Sequence, residues 1–388
     1  MVVTENALHA FERMDFTPET AWNVAMSWRP IVTGSAADPL REVLAEILVA
    51  ENPDRSFDAQ ADRAIVRAYT QTGDPAADIT ALVDRLDTQH VALFGGATRI
   101  GWTLSHLADG VEVQLVCDAI DRALSADRFA GEGYDLISGL VGFGVYALER
   151  GPAGLPVLEQ IVEALGARAV LRHGGLAWPD DSWNLGLAHG VPGVIAMCAR
   201  ASAAGVTGAR DIVDRATTYL ATVAHAPYPA REGETARERL AWCYGDLGIA
   251  SALLGAGLWL DDDRLRGRGL DLALRCAGLG LANVGVRDAS FCHGAAGNAH
   301  LFNRMAQATG ESRLADAARA WLGRLLELRT TAPIAGFPHR LEGDVLAPSG
   351  TLITGAPGVG LILHAAITEQ EPCWDRLFLI DLPVQVRN

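Results

Sequence analysis

The 388-residue chain is poor in positive charge, in aromatic residues and in long uninterrupted apolar segments. It has 32 Lys and Arg against 47 Asp and Glu, a net charge of −15, and no basic cluster for binding nucleic acid or an anionic membrane. Its longest uncharged stretch, 345–368, is interrupted by prolines and glycines, which excludes a lipid-exposed helix. Because 49% of the residues are apolar, a folded protein is expected rather than a disordered one.

The sequence also has no secretion signal and no closely spaced cysteine framework. The first fifteen residues carry Glu5, Glu12, Arg13 and Asp15 and lack the apolar core of a signal peptide. In such a chain, six widely separated cysteines are interpreted as thiols or metal ligands rather than as disulfides. We therefore expect a cytoplasmic protein with no transmembrane segment and no nucleic-acid partner.

A Gly-x-x-Gly turn that opens an apolar segment of helix length recurs along the chain. The first glycines follow one another at intervals of 43 to 61 residues, counted from a degenerate copy at Gly96 in which Arg99 replaces the closing glycine. The complete copies are Gly139–Gly142, Gly190–Gly193, Gly245–Gly248, Gly294–Gly297 and Gly355–Gly358. An interval of this length accommodates two helices and two loops, which is typical of arrays or toroids of helix pairs.

Each repeat contains one amphipathic helix and one helix that is apolar on all sides. Ser312–Arg329 places its apolar residues on one stripe, whereas Ile249–Leu260, behind a glycine turn, is apolar nearly all round. Near the amino terminus, Asp38-Pro39 predicts an N-cap followed by proline at the first helical position. No segment shows sustained strand alternation. The prediction is an all-α protein, a single α/α toroid over residues 1–388, with an N-terminal helical part (1–90) and glycine-turn repeats (91–388).

Three of the turns carry residues capable of chemistry, namely His189, Cys243-Tyr244 and Cys292-His293. If the repeats close into a ring, the turns converge at one end of its axis and bring Cys243, Cys292 and His293 together. Two thiolates and an imidazole are a Zn²⁺ ligand set that leaves a fourth position open. Because two thiolates cancel the formal charge of the ion, such a site favours activation of a substrate thiol over activation of water. The competing interpretation is that these residues are buried for packing alone.

The residues around these turns resemble the signature blocks of the lanthionine synthetase C-like family. The blocks are Gly186–Gly193, Trp242–Gly245 and Cys292–Gly297, and the resemblance extends from about residue 90 to Trp374-Asp375. It implies an α/α toroid with one zinc ion at its centre. For stand-alone members it implies a cyclase that adds a peptide cysteine to dehydroalanine or dehydrobutyrine and so forms (methyl)lanthionine thioether rings.

The resemblance also assigns roles to individual residues. The implied zinc ligands are Cys243, Cys292 and His293. His189 and Asp135 match the acid/base residues, and a histidine titrates in the range that proton transfer near neutral pH requires. The other two positions that match the family's site are Arg239 and Tyr244.

The implied substrate is a dehydrated precursor peptide with leader and core, and the implied partners are a lanthipeptide dehydratase and an ABC transporter. The sequence leaves open whether the enzyme works alone or peripherally at the membrane in such a complex. Two other functions stay open. One is addition of glutathione or another small thiol to dehydrated proteins, and the other is a non-catalytic, zinc-bearing peptide scaffold. Retention of His189 and Asp135 argues against the scaffold. Thr330–Ser349 and Pro229–Arg239 are the expected elaborated rims.

Overall fold

The helices that follow the glycine turns form an inner ring, because their apolar surfaces on all sides must be covered by neighbours. The computed structural model describes residues 28–383 apart from 125–128, 130, 181, 224, 236–238 and 342–344, so the segment examined for a signal peptide lies outside the described residues. The helices are α1 Asp38–Val49, α2 Phe57–Thr70, α3 Ala76–Val83, α4 Ala97–Leu107, α5 Val111–Ala123, α6 Leu140–Glu149, α7 Leu155–Arg168, α8 Val191–Ala203, α9 Ala209–Val223, α10 Asp246–Trp259, α11 Asp263–Ala277, α12 Ala295–Thr309, α13 Ser312–Glu327 and α14 Ala356–Ile367.

The ring closes through a helix that has no glycine turn in front of it. The even-numbered helices contact one another in chain order from α4 to α14, α14 then contacts α2, and α2 contacts α4. Helix α2 begins at an ordinary cap instead, where the Ser56 side chain accepts a hydrogen bond from Ala59 N. Over the described residues, the inner ring therefore has seven helices, and the predicted α/α toroid is confirmed.

The remaining helices form an outer layer, each beside one inner helix. The pairs are α3 with α2, α5 with α4, α7 with α6, α9 with α8, α11 with α10, α13 with α12, and α1 with α14. In α13 the buried residues fall on the predicted stripe, which includes Leu314, Trp321 and Leu325. By contrast, α10 is buried without a break from Asp246 to Gly257, as predicted for an inner helix.

One predicted detail at the amino terminus is wrong. Asp38 is the first residue of α1 rather than its cap, and its carboxylate accepts a hydrogen bond from Arg41 Nη1 at 2.6 Å. Pro39 does lie in the first turn, where its missing N–H costs nothing. The N-terminal helices α1 and α2 belong to the toroid, because both contact α14. The predicted division at residue 90 stays a prediction.

The closing glycines of the turns are needed because each lies against a carbonyl oxygen. A Cβ atom on Gly193 would lie 2.4 Å from Leu187 O, and one on Gly297 would lie 1.8 Å from Phe291 O. The other three complete turns repeat this close approach to the carbonyl six residues earlier. In the degenerate first copy, Arg99 is completely buried and forms an ion pair with Asp62.

Successive turns are joined by backbone hydrogen bonds around one end of the ring. The bonds run from Phe94 N to Ile137 O, Leu136 N to Ala188 O, Ala188 N to Cys243 O, Cys243 N to Cys292 O, and Cys292 N to Ile353 O. Their lengths are 2.9 to 3.3 Å. The circle is completed through Asp62 of α2, whose Oδ2 accepts a hydrogen bond from Leu352 N and whose Oδ1 forms the ion pair with Arg99 of the first copy. These bonds bring together turns that are about fifty residues apart in the sequence.

Two short antiparallel hairpins interrupt the helical pattern. One pairs β1 (Val170–Arg172) with β2 (Gly175–Ala177), and the other pairs β3 (His339–Arg340) with β4 (Leu346–Ala347). The second hairpin lies in the predicted rim segment Thr330–Ser349. Among the described residues, no helix is both long enough and apolar enough to cross a membrane.

Candidate metal centre and its acid–base neighbours

The joined turns bring the three predicted metal ligands together. The ligand atoms of Cys243, Cys292 and His293 all lie within 4.8 Å of one another, although 49 residues separate the two cysteines. The Cys243 side chain is buried, and Cys292 and His293 are partly exposed. Two sulfurs and one imidazole nitrogen are a donor set that zinc prefers, so the residues present fit the metal.

The electrostatics of the cluster also fit a cation. The Cys292 thiol donates a hydrogen bond to the Cys243 sulfur. This bond, with the hydrogen bond and charge of His293, outweighs burial and holds the pKa of Cys243 well below its usual value. The same hydrogen bond and burial raise the pKa of Cys292 well above its usual value. Two adjacent thiolates repel each other, so a cation between them favours the ionisation of both.

His293 is held from one side by a carboxylate. Its Nε2 lies 3.4 Å from Asp288 Oδ2. Burial lowers the pKa of His293, but hydrogen bonds to Asp288 and Cys243 outweigh burial and raise the pKa to about 9. The protonated ring and the Cys243 thiolate therefore stabilise each other.

The predicted acid/base residues also meet. His189 Nδ1 lies 2.6 Å from Asp135 Oδ2, while Asp135 Oδ1 accepts hydrogen bonds from the backbone N–H groups of Ser138 at 2.9 Å and Gly139 at 3.1 Å. Burial raises the pKa of Asp135, but the hydrogen bonds from His189 and Ser138 outweigh it and hold the pKa below the usual value. Since the ionised carboxylate can only accept, Nδ1 carries the proton, and in the neutral ring Nε2 carries the lone pair.

Tyr244 links the His189–Asp135 pair to the cluster of candidate metal ligands. Its ring stacks on His189 with a centroid distance of 5.9 Å, and it follows Cys243 directly in the chain. The approach of the two turns requires glycine at 186, where a Cβ atom would lie 2.4 Å from Cys243 O. Burial and the negative charge of Cys243 raise the pKa of Tyr244 against the effect of Asn184, so the phenol keeps its proton.

Arg239 contributes charge rather than a ligand atom. Its side chain is exposed, and its positive charge lowers the pKa of both Cys243 and Cys292. The structure thus places all seven predicted site residues around one end of the ring.

Sequence reasoning missed three residues at the site: Asn184, Asp288 and His339. Asn184 Nδ2 donates to the Tyr244 hydroxyl oxygen at 3.0 Å, and its own Oδ1 accepts from Gly186 N at 2.9 Å. The His339 ring lies 5.9 Å from that of His293. Asn184 and Asp288 precede family blocks by only a few residues, and this proximity was a signal in the sequence that could have identified them. His339 lies in the β3–β4 hairpin, and nothing in the sequence indicated that this hairpin lies beside the candidate metal ligands.

The fold and the site together define an α/α toroid with a Cys₂His candidate metal centre at the joined turns. The chain belongs to the lanthionine synthetase C-like protein family, whose model matches residues 60–379. A solved structure named nisin cyclase is similar to it with a TM-score of 0.66 at 16% identity, covering 88% of this chain and 96% of the other. At that identity the likeness shows the fold alone.

A weaker likeness, with a TM-score of 0.43 and 10% identity, is to a sugar epimerase from a ruminal bacterium, covering 84% of this chain and 98% of the other. Among curated proteins, none matches the chain.

Proposed function

We propose that this chain is a zinc-dependent lanthipeptide cyclase acting in the cytoplasm. Its reaction is the addition of a cysteine thiol of a dehydrated precursor peptide to dehydroalanine or dehydrobutyrine in the same peptide. The observation that carries the proposal is the His189–Asp135 pair, which is joined through Tyr244 to the cluster of Cys243, Cys292 and His293. A dehydratase and an ABC transporter are the partners expected from the family resemblance.

Cys243, Cys292 and His293 would hold the metal, and the donor set leaves one position for a substrate sulfur. When bound, zinc supplies positive charge that lowers the pKa of a coordinated thiol. His189 Nε2 accepts the proton that leaves the substrate thiol, because Nδ1 is already committed to Asp135. The resulting imidazolium is stabilised by the ionised Asp135 carboxylate.

The same histidine completes the addition. As the new C–S bond forms at the β-carbon, the electron pair of the carbon–carbon double bond moves to the α-carbon and its carbonyl oxygen. The Tyr244 hydroxyl accepts from Asn184 and keeps its own proton, so it can donate to that oxygen. Protonated His189 then returns its proton to the α-carbon, and the net change is addition of S–H across the double bond.

Metal analysis and a cyclisation assay test this function together. Purified protein should contain about one zinc per chain, and Cys243→Ala and Cys292→Ala should lose it while staying folded on the large toroid core. Cyclisation leaves the mass unchanged but consumes free thiols, so mass spectrometry after thiol alkylation reports it. If all cysteines of a dehydrated peptide can still be alkylated after incubation with the protein, the proposal is contradicted, whether or not the protein contains zinc.

Two control reactions separate the other functions. Addition of glutathione to a dehydrated peptide without cysteine would appear as a mass increase and would favour the small-thiol reaction. Binding of the precursor peptide without formation of either the cyclised peptide or the glutathione adduct would favour the non-catalytic scaffold. The hydrogen-bonded His189–Asp135 pair supports catalysis over a scaffold, because peptide binding alone needs no acid/base pair.

A further inference from the structure

The loop before Cys292 is organised around the carboxylate of Asp288. This side chain is 7% exposed, and its two oxygens have different partners. Oδ1 accepts hydrogen bonds from Ser290 N at 3.0 Å and Ser290 Oγ at 2.8 Å, whereas Oδ2 faces His293 Nε2 at 3.4 Å. The carboxylate is therefore fixed in its loop by one oxygen and directed at a proposed metal ligand by the other.

The glycine after His293 makes this arrangement possible. A Cβ atom on Gly294 would lie 2.5 Å from Asp288 Oδ1 and 2.2 Å from Ser290 N. Neither contact is sterically tolerable, so any larger residue would displace the carboxylate or the loop. Gly294 thus serves the approach of Asp288 as well as the turn itself.

We propose that Asp288 is a positioning residue that fixes the tautomer and ring orientation of His293, accepting the Nε2 proton so that Nδ1 carries the lone pair for the metal. The inference rests on the proposed zinc site and adds to it a residue outside the ligand set. Metal-bound histidines commonly donate their second N–H to a carboxylate, which orients the ring and raises its basicity as a ligand.

A different reading of the same residues is a second metal site. The ligand atoms of Asp288, His293 and His339 also lie within 4.8 Å of one another. His293 belongs to both groups, and Asp288 already holds Ser290 through its other oxygen. Metal stoichiometry and the behaviour of His339→Ala separate the two readings, because His339 matters only to a second site.

Asp288→Asn is the sharpest variant. Asparagine keeps the shape of the side chain and an oxygen for the two Ser290 bonds, and its NH₂ group then replaces the oxygen that faces His293. The amide group cannot rotate by 180°, because its NH₂ group would then face the N–H donor of Ser290. The variant thus removes the acceptor for His293 while leaving the loop intact. Ser290→Ala is the matched control, since it removes a loop bond and leaves that acceptor in place.

Zinc affinity is measured on full-length protein by competition with a chromophoric chelator, and the cobalt(II)-substituted protein is examined by its visible spectrum. We expect Asp288→Asn to weaken zinc binding by about 10- to 100-fold and to shift the cobalt spectrum. Ser290→Ala and His339→Ala should stay within about threefold of the wild type. Circular dichroism of the metal-free proteins should show the same helical content, which separates a loss of metal binding from a loss of folding.

Wild-type zinc affinity and cobalt spectrum in Asp288→Asn would overturn the inference and leave the proposed function standing. An equal loss in Ser290→Ala would also overturn it, since loop order alone would then explain the effect. Two metals per chain, one of them lost in His339→Ala and in Asp288→Asn, would make Asp288 a ligand of a second site. Failure of the wild type to bind zinc at all would contradict the proposed function as well.

Discussion

Asp135 Oδ2 and His189 Nδ1 lie 2.6 Å apart although 54 residues separate them in the sequence. They meet because the turns before α6 and α8 are neighbours, joined by the hydrogen bond from Leu136 N to Ala188 O. The carboxylate is held on its other oxygen by the backbone of Ser138 and Gly139, so the histidine docks against a fixed partner. In the proposed acid/base role, a pair held in this way needs little rearrangement before proton transfer.

His189→Asn should retain zinc and peptide binding while cyclisation slows by about 10²- to 10⁴-fold, the usual contribution of a positioned proton-transfer group. Asp135→Asn should have a similar effect, because the amide cannot stabilise an imidazolium. The measurement is the rate at which alkylatable thiol disappears from a dehydrated peptide, with zinc content determined in parallel. Loss of zinc from His189→Asn would make it a ligand, and a wild-type rate would remove it from the acid/base role.

The toroid could be predicted from the sequence because it depends on local patterns, whereas the roles of the seven candidate site residues come from the family resemblance and stay predictions. Glycine turns mark where inner helices begin, and the apolar segments behind them show burial on all sides. The seventh inner helix, α2, escaped this reasoning since it starts at Ser56 without a glycine turn. Where a helix closes a ring depends on contacts between the two ends of the chain, which no local pattern records.

Removal of the Tyr244 hydroxyl should slow the reaction without loss of metal. Tyr244→Phe is expected to lower kcat by about 10²- to 10³-fold if the phenol donates to the oxygen that gains charge. Asn184→Ala should cost about tenfold, because it frees the hydroxyl without deleting it. Steady-state kinetics of the two variants should show the loss in kcat rather than in KM.

Tyr219→Phe is the matched control, since the Tyr219 hydroxyl donates at 2.7 Å to Glu232, which is not one of the candidate site residues. It should keep the wild-type kcat. A wild-type kcat in Tyr244→Phe would show that the ring acts only by packing on His189.

A methyl group at a closing glycine should disturb the metal centre. Gly297→Ala places its Cβ atom 1.8 Å from Phe291 O, which is backbone and must move together with the adjoining Cys292. We expect destabilisation by about 1–3 kcal/mol or more and weaker zinc binding, measured by urea unfolding and chelator competition. Gly323→Ala, on the exposed side of α13 with no atom within 4 Å of the new Cβ, should instead stabilise by about 0.5–1 kcal/mol. Equal stability of the two variants would contradict the role assigned to the closing glycines.

The hydrogen-bond partners of the buried histidines could not be predicted from the sequence. His106 and His300 are buried within helices α4 and α12, and each is paired with a side chain that is distant in the sequence. His106 Nδ1 lies 2.7 Å from Glu149 Oε1, and its Nε2 lies 2.9 Å from the Tyr69 hydroxyl. His300 Nε2 lies 2.7 Å from Asp375 Oδ2. Their partners are 37 to 75 residues away in the chain, so no spacing rule could have named them.

Asp375 should be among the residues on which stability depends most. It is completely buried, and besides His300 it accepts a hydrogen bond from Arg304 Nη2 at 2.9 Å. Burial raises its pKa, but Arg304 and His300 outweigh burial and hold the pKa below the usual value. Asp375→Asn removes this carboxylate from the buried guanidinium of Arg304, which keeps its ion pair with Glu371, so we expect a loss of up to about 3–5 kcal/mol in the free energy of unfolding.

The matched control is Asp316→Asn, which breaks an exposed pair with Arg319 in α13 and should change the free energy of unfolding by about 0–1 kcal/mol. The pH dependence gives a second test, because a carboxylate with a lowered folded-state pKa stabilises the fold above its unfolded pKa of about 3.9. Its contribution begins to decline below the unfolded pKa and is lost completely once the pH has fallen through the lower folded-state value. Urea unfolding should therefore show the wild type and Asp375→Asn furthest apart near neutral pH and converging below about pH 4. A constant difference down to pH 3 would mean that the variant acts through packing rather than through the charge of Asp375.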